Sequence, residues 1–166
     1  MKHPLRLILL GVLVALGFWI WTLLFPSPEK VIQNRLVKLA KLGSFGSNEG
    51  NIARVANIER MGTFFDEDIE VVIDVPGAEA HTFTRREELQ QAAMQARSVL
   101  SGLQVEFPDI HITLAPDKHS AVADVTLKAK VSGQSDLIVQ ELSIAFKKVD
   151  RAWLISRIET VRTLQR

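Results

Sequence analysis

The chain has 166 residues, 47% of them hydrophobic and 23% charged, with a formal charge of +1 and neither cysteine nor tyrosine. That length suits one ordinary domain plus an appendage, and the apolar content is enough to pack a core. The near-neutral charge gives no reason to expect a nucleic-acid partner, and the lack of cysteine excludes disulfides, thiolate metal sites and cysteine nucleophiles.

The first element is apolar. Residues 7–25, in "MKHPLRLILLGVLVALGFWIWTLLFPSPEK", carry no charge, and a helix crossing a bilayer core needs about 20 such residues. Lys2 and Arg6 precede the run, and Trp19 and Trp21 lie toward its far end, where indole rings favour the membrane interface. A cleaved signal peptide would have a shorter apolar stretch of about 7–15 residues and a small-residue pair. "LLFPSPEK" offers no such pair. Residues 1–26 are therefore expected to form a single uncleaved transmembrane anchor. Its N-terminus would be cytoplasmic, and residues 27–166 would form a domain on the periplasmic or extracellular side. Without Lys2 and Arg6, the 20 basic residues fall one short of the 19 acidic ones.

Ser27, Pro28 and Glu29 read as cap, first position and first turn of a helix with an apolar stripe of Ile32, Leu36, Leu39 and Ala40, ending at Gly43. A loop, "SFGSNEG", leads to a second helix with Ile52, Val55, Ala56 and Met61 on its inner side. "IEVVID" is β-branched and predicts a strand. Asp66, Glu67 and Asp68 fall just before it, as a solvated turn rather than a metal loop. Thr84 to Glu87 has the spacing of a capping box. The helix after it carries Leu89, Ala93, Ala96 and Leu100 and is expected to stop at Gly102. Four β-rich runs follow, "LQVEFPDIHITL", "SAVADVTLKAKV", "LIVQELSIAFKK" and "AWLISRIETV", joined by hairpin-length links. Pro108 predicts a bulge. Ala121, Ala123, Val125, Leu127 and Ala129 alternate onto one face, as do Ile138, Gln140, Leu142, Ile144 and Phe146. Helices followed by an antiparallel meander predict an α+β fold, a curved antiparallel sheet with the helices on one face.

That element order resembles the nuclear-transport-factor-2-like superfamily, also called SnoaL-like, which includes ketosteroid isomerase. The resemblance rests on "MGTFFDEDIEVVIDVPG", "TFTRREELQQAA", "SAVADVTLKAK" and "LSIAFKKVDRAWLIS" with Trp153 and Ile155, and spans about residues 29–163. It implies a cone-shaped sheet wrapped round the N-terminal helices, often with a pocket and often dimeric. It also places Asp74, in "IDVPG", where the isomerase holds its carboxylate base. The isomerase stabilises its oxyanion with a tyrosine and a protonated aspartic acid. This chain has no tyrosine, and Leu142 falls near the second position.

The resemblance makes Asp74 a ligand-binding candidate, and the residues add Gln140, on the apolar face of its strand, and Arg157 on the last strand. Arg157 and Glu159 are spaced to pair on one strand face. His81, His111 and His119 are too scattered for a metal site, so neither metal nor cofactor is expected. The opposite sheet face carries a semi-apolar strip of Val122, Thr126, Val139, Ser143 and Ala145, rimmed by Lys128, Lys130 and Glu141. A second copy of the chain or an envelope protein would fit such a strip. The leading expectation is a membrane-anchored, non-catalytic domain that binds a protein partner or a small apolar ligand in the cell envelope. The alternative is a small-molecule isomerase or lyase with Asp74 as general base.

Overall fold

Ser27 closes the first turn of helix α1 (Pro28–Gly43). Its Oγ accepts from the Lys30 amide at 3.4 Å, and Pro28, which has no amide to satisfy, takes the first position. The computed structural model describes residues 12, 16, 17, 19, 26–73 and 81–161. The apolar run 7–25 therefore lies almost wholly outside the described residues. Among those residues no helix is long and apolar enough to cross a membrane.

Ile32, Leu36 and Ala40 form the buried stripe of α1. After Gly43, the Ser44 amide and hydroxyl both donate to the Ala40 carbonyl, and Ser44 Oγ accepts from the Val105 amide at 2.9 Å. One hydroxyl thus caps the helix and ties it to the sheet edge. Helix α2 (Asn51–Gly62) departs from expectation. Ile52 is 89% exposed and Val55 is 46% exposed, while Ile58 and Gly62 are buried. Gly62 lies against Gln90 of helix α3 (Arg86–Val99), and a Cβ there would fall 2.4 Å from Gln90 Nε2. The expected capping box at Thr84 is shifted by one residue. Arg85 is the N-cap without a side-chain bond, and it is the Glu88 carboxylate that accepts from the Thr84 amide at 2.9 Å. Helix α3 also ends at Val99 rather than reaching Gly102. Gly102 instead faces Ser132 and the Phe45 carbonyl, with 2.6 Å and 3.1 Å to a would-be Cβ.

The six strands are β1 (Phe65–Ile73), β2 (His81–Phe83), β3 (Leu103–Leu114), β4 (Ser120–Val131), β5 (Leu137–Val149) and β6 (Ala152–Thr160), in sheet order β2-β1-β6-β5-β4-β3. All pairings are antiparallel except β1 with β6, which is parallel. The fully antiparallel sheet expected from the meander is corrected at that seam. After β2 and α3 the chain restarts at the far edge with β3, and successive hairpins return it until β6 arrives beside β1 in the same direction. Two bulges bend the meander. One lies at Pro108 as expected, between Glu106 and Asp109, and the other opposes Ala145 and Phe146. At the β3–β4 turn Lys118 takes φ 57°, and the Asp117 carboxylate accepts from the amides of His119 and Ser120.

The sheet's inner face and α1 enclose one core: Ile32, Leu36, Ile69, Ala123, Val125, Ile144, Phe146, Trp153 and Ile155. Trp153 is 3% exposed. Ile138 shares the alternation but is half exposed, as are its neighbours Leu137 and Val139 at the start of β5. The acidic stretch is not a turn before the strand but lies within β1 itself. Asp66 pairs with Lys147, Glu67 with Arg86 at 3.4 Å and Glu70 with Arg157 at 3.0 Å. Each of these three carboxylates is matched by a cation from another element.

Candidate functional site

Asp74 lies outside the described residues, one position beyond the end of β1 at Ile73. Gln140 is on the inner face of β5, half buried opposite Leu127 of β4, and its amide donates to the Glu141 carbonyl at 3.3 Å. Arg157 is on the other face. Its guanidinium donates to Glu159 at 3.1 Å, as the spacing predicted, and also to Glu70, its register partner on β1. Gln140 and Arg157 thus occupy opposite faces and do not converge. His111 is exposed on the outer face opposite Asp124, and His119 is in the β3–β4 turn with Nδ1 2.6 Å from the Asp117 carbonyl. Among the described residues no group of His, Cys, Asp and Glu could hold a metal ion.

The strip expected on the outer face is assembled by the register. Val122 lies opposite Ala145, Asp124 opposite Ser143, Thr126 opposite Glu141 and Lys128 opposite Val139. On the other side of β4, Glu106 faces Lys128 and His111 faces Asp124. This face is polarised along the strands. Asp109, Asp124 and Glu141 line a cleft of about 490 Å³ with His111 and Thr126, whereas Lys128 and Lys130 stand toward the β4–β5 hairpin. Next to those lysines are Leu137 and Val139, each 53% exposed, and Val122 at the opposite end is 41% exposed. Strand alternation accounts for Val139 and Val122, because successive side chains point to opposite faces.

A buried polar cluster lies apart from this face. Arg97 of α3 is 4% exposed. It donates to both oxygens of Glu49 at 2.5 Å and to the Leu42 carbonyl at the end of α1, and its guanidinium lies 4.8 Å from the centre of the Phe45 ring. Glu49 also accepts from Asn57 of α2 at 2.8 Å. Burial pushes the Glu49 carboxyl up, but hydrogen bonds from Arg97 and Asn57 and the charges of Arg97 and Arg54 outweigh it and hold the group below the usual carboxylate range. All its strong partners are internal, so the cluster braces the 44–50 loop against the three helices. Sequence spacing gives one hint of it. Arg97 stands four residues after Ala93, inside the apolar stripe of its helix.

No protein-family model matches the chain, and no curated protein matches it in sequence. Solved structures match its fold. A candidate scytalone dehydratase from Novosphingobium aromaticivorans superposes with a TM-score of 0.62 at 16% identity, over 81% of this chain and 83% of that one. A nuclear-transport-factor-2-like protein of unknown function from Pseudomonas putida gives 0.59 at 10% identity, over 84% and 90%. A protein with a cystatin-like fold from Caulobacter vibrioides gives 0.59 at 18% identity, over 80% and 89%. At these identities the likeness establishes the fold: among the described residues of 26–161, three helices with a curved six-stranded sheet of the nuclear-transport-factor-2-like, cystatin-like type. Function does not follow from a fold shared at this distance.

Proposed function

We propose that the chain is a membrane-anchored, non-catalytic binding domain of the cell envelope, whose outer sheet face docks a second copy of the chain or an envelope protein. The charge-free run 7–25 supplies the anchor, and Ser27 starts the domain immediately after it. The observation that carries the binding role is the outer face of β4 and β5. Leu137 and Val139 are exposed there beside Lys130 and Lys128, and Val122 is exposed beyond the acidic Asp124 and Glu141. A two-fold axis crossing the strands at Thr126 would bring Asp124 of one copy over Lys128 of the other, His111 over Glu106 and Ser143 over Val139, but it would also set Asp109 and Glu141 each against its own copy, and those like charges favour an envelope protein that offers them cations over a symmetric pair.

The enzymatic alternative, an isomerase or lyase with Asp74 as base, draws on the fold shared with a candidate dehydratase. Against it stand the lack of tyrosine as an oxyanion donor and the engagement of Arg157 by two carboxylates. Losing one oxyanion donor costs on the order of a hundredfold or more in rate.

Two substitutions in the full-length chain separate the readings. Val139→Lys places a charge in the docking strip and should abolish association, read as the mass of the protein in lipid nanodiscs, while leaving its circular dichroism unchanged. It should also fail to complement a deletion strain, whereas Asp74→Asn should complement it. If Asp74→Asn is inactive and Val139→Lys associates and complements normally, the enzymatic reading stands and the binding reading falls.

A further inference from the structure

Helices α1 and α2 flank a shallow, open cleft of about 380 Å³ that shares no residue with the outer sheet face. It is lined by Lys38, Lys41 and Leu42 of α1, Arg60 of α2, and Thr63 and Phe64 just beyond α2. Its charges are of one sign. Lys38 and Lys41 are one turn apart on α1, and Arg60 faces them from the other helix. Each is exposed, and among the described residues none of them forms an ion pair with a carboxylate. This sets them apart from Lys147, Arg86, Arg97 and Arg157, all of which are paired. Glu59, the acidic neighbour of Arg60 in sequence, lines a different cleft with Ile52 and Val55. Glu49 is committed to Arg97.

The floor of the cleft is apolar and rigidly held. Phe64 is 8% exposed. Its ring is covered by the Arg35 guanidinium at 4.5 Å, and Arg35 also donates to the Thr63 carbonyl at 3.1 Å. Arg35 adds a fourth positive charge at the edge of the cleft, and burial lowers its pKa. Its Nε is buried without a partner. Cations grouped on two helices repel one another, and a fold gains nothing from that grouping unless an anion relieves it.

We infer that this cleft binds an amphipathic anion, a phosphate monoester or carboxylate whose charged head lies among Lys38, Lys41 and Arg60 and whose apolar body rests on Leu42 and Phe64. The volume suits a body about the size of a fused pair of aromatic rings or a short acyl chain. The same head chemistry is available from a soluble anion or from the headgroup of an anionic lipid, since α1 begins only two residues beyond the apolar run.

The test uses the full chain in phosphatidylcholine nanodiscs, with 1-naphthyl phosphate as a fluorescent probe read by anisotropy. Saturable binding at one probe per chain is expected, weakening as salt is raised. Inorganic phosphate and 1-naphthol should each compete poorly, because each supplies only half of the recognition. Lys41→Ala and Arg60→Ala should each weaken binding about tenfold, and Arg151→Ala, an equal loss of charge in the exposed β5–β6 turn, should leave it unchanged. Replacing part of the phosphatidylcholine with phosphatidic acid, whose head is itself a phosphate monoester, distinguishes the sources. Displacement of the probe assigns the site to lipid headgroups, and unchanged binding assigns it to a soluble anion; both outcomes support the site. Absence of saturation would overturn the inference, as would equal weakening by Arg151→Ala or inorganic phosphate binding as tightly as the probe.

Discussion

Arg97 is the residue on which most elements depend. It touches α1 through the Leu42 carbonyl, the 44–50 loop through Glu49 and Phe45, and α2 indirectly through Asn57. A buried pair contributes little net stability compared with an apolar pair, but removing one partner strands the other charge. Glu49→Gln should therefore destabilise the fold by roughly 3–5 kcal/mol, read as a fall in the urea midpoint. The pH dependence has a definite sign. Because the folded state lowers the Glu49 pKa, its contribution is fully present above the unfolded carboxyl value and is lost as pH falls through the folded one. The thermal midpoint of the native protein should drop on that acid limb, and Glu49→Gln should flatten the drop. A variant that keeps the native slope would show that other carboxylates set it.

Elements differ in how plainly their sequence announces them, and α1 and α2 show why. In α1 the apolar residues Ile32, Leu36 and Ala40 recur every four positions, which stays close to one face of a 3.6-residue helix. In α2, Ile52, Val55, Ile58 and Met61 recur every three, and each step of three drifts by about 60° round the axis. That stripe winds half-way round the helix, so it cannot all be buried, and packing against Gln90 at Gly62 decides which part is. Ile58→Ala should accordingly cost roughly 2–5 kcal/mol, while Ile52→Ser should stay within about 0.5 kcal/mol; paired denaturation curves check both. Trp153→Ala on β6 should cost roughly 3–5 kcal/mol, and an unchanged midpoint would contradict its burial. The strands, the Pro108 bulge and the outer strip were legible because alternation and proline act locally. The parallel seam between β1 and β6 was not, because it depends on where the chain re-enters the sheet after α3. Nor was the Arg97–Glu49 pair, whose partners stand 48 residues apart. The basic cleft needed two helices brought together before Lys38, Lys41 and Arg60 could be seen as one group. Of the residues expected to bind a ligand, Gln140 keeps the inner face that alternation gave it, whereas Arg157, two positions after the inward Ile155, is turned to the outer face by the β5–β6 bulge, which has no local signature.

For the molecule as a whole, the two proposed binding surfaces depend on the proposed anchor. Helix α1 starts at Pro28, so only Pro26 and Ser27 separate it from the apolar run 7–25. On the proposal that the run spans a bilayer, a tether that short would keep the domain within a few residues' reach of it, at most about 3.3–3.6 Å per residue. It would also raise the local concentration of neighbouring copies in the same membrane, which favours a weak sheet-face contact that would be negligible in dilute solution. The proposed orientation rests on charge. Lys2 and Arg6 flank the run on its N-terminal side, and retention of positive residues in the cytoplasm would place the domain on the other side. A reporter active only outside the cytoplasm, fused after Arg166, should therefore be active, and the full-length fusion should sediment with membranes and resist extraction by alkaline carbonate. An inactive but well-expressed fusion would reverse the orientation. An active, shortened and soluble product would mean that the run is removed as a signal peptide, which would free the domain from the bilayer and leave the anionic headgroup as an unavailable ligand for the basic cleft.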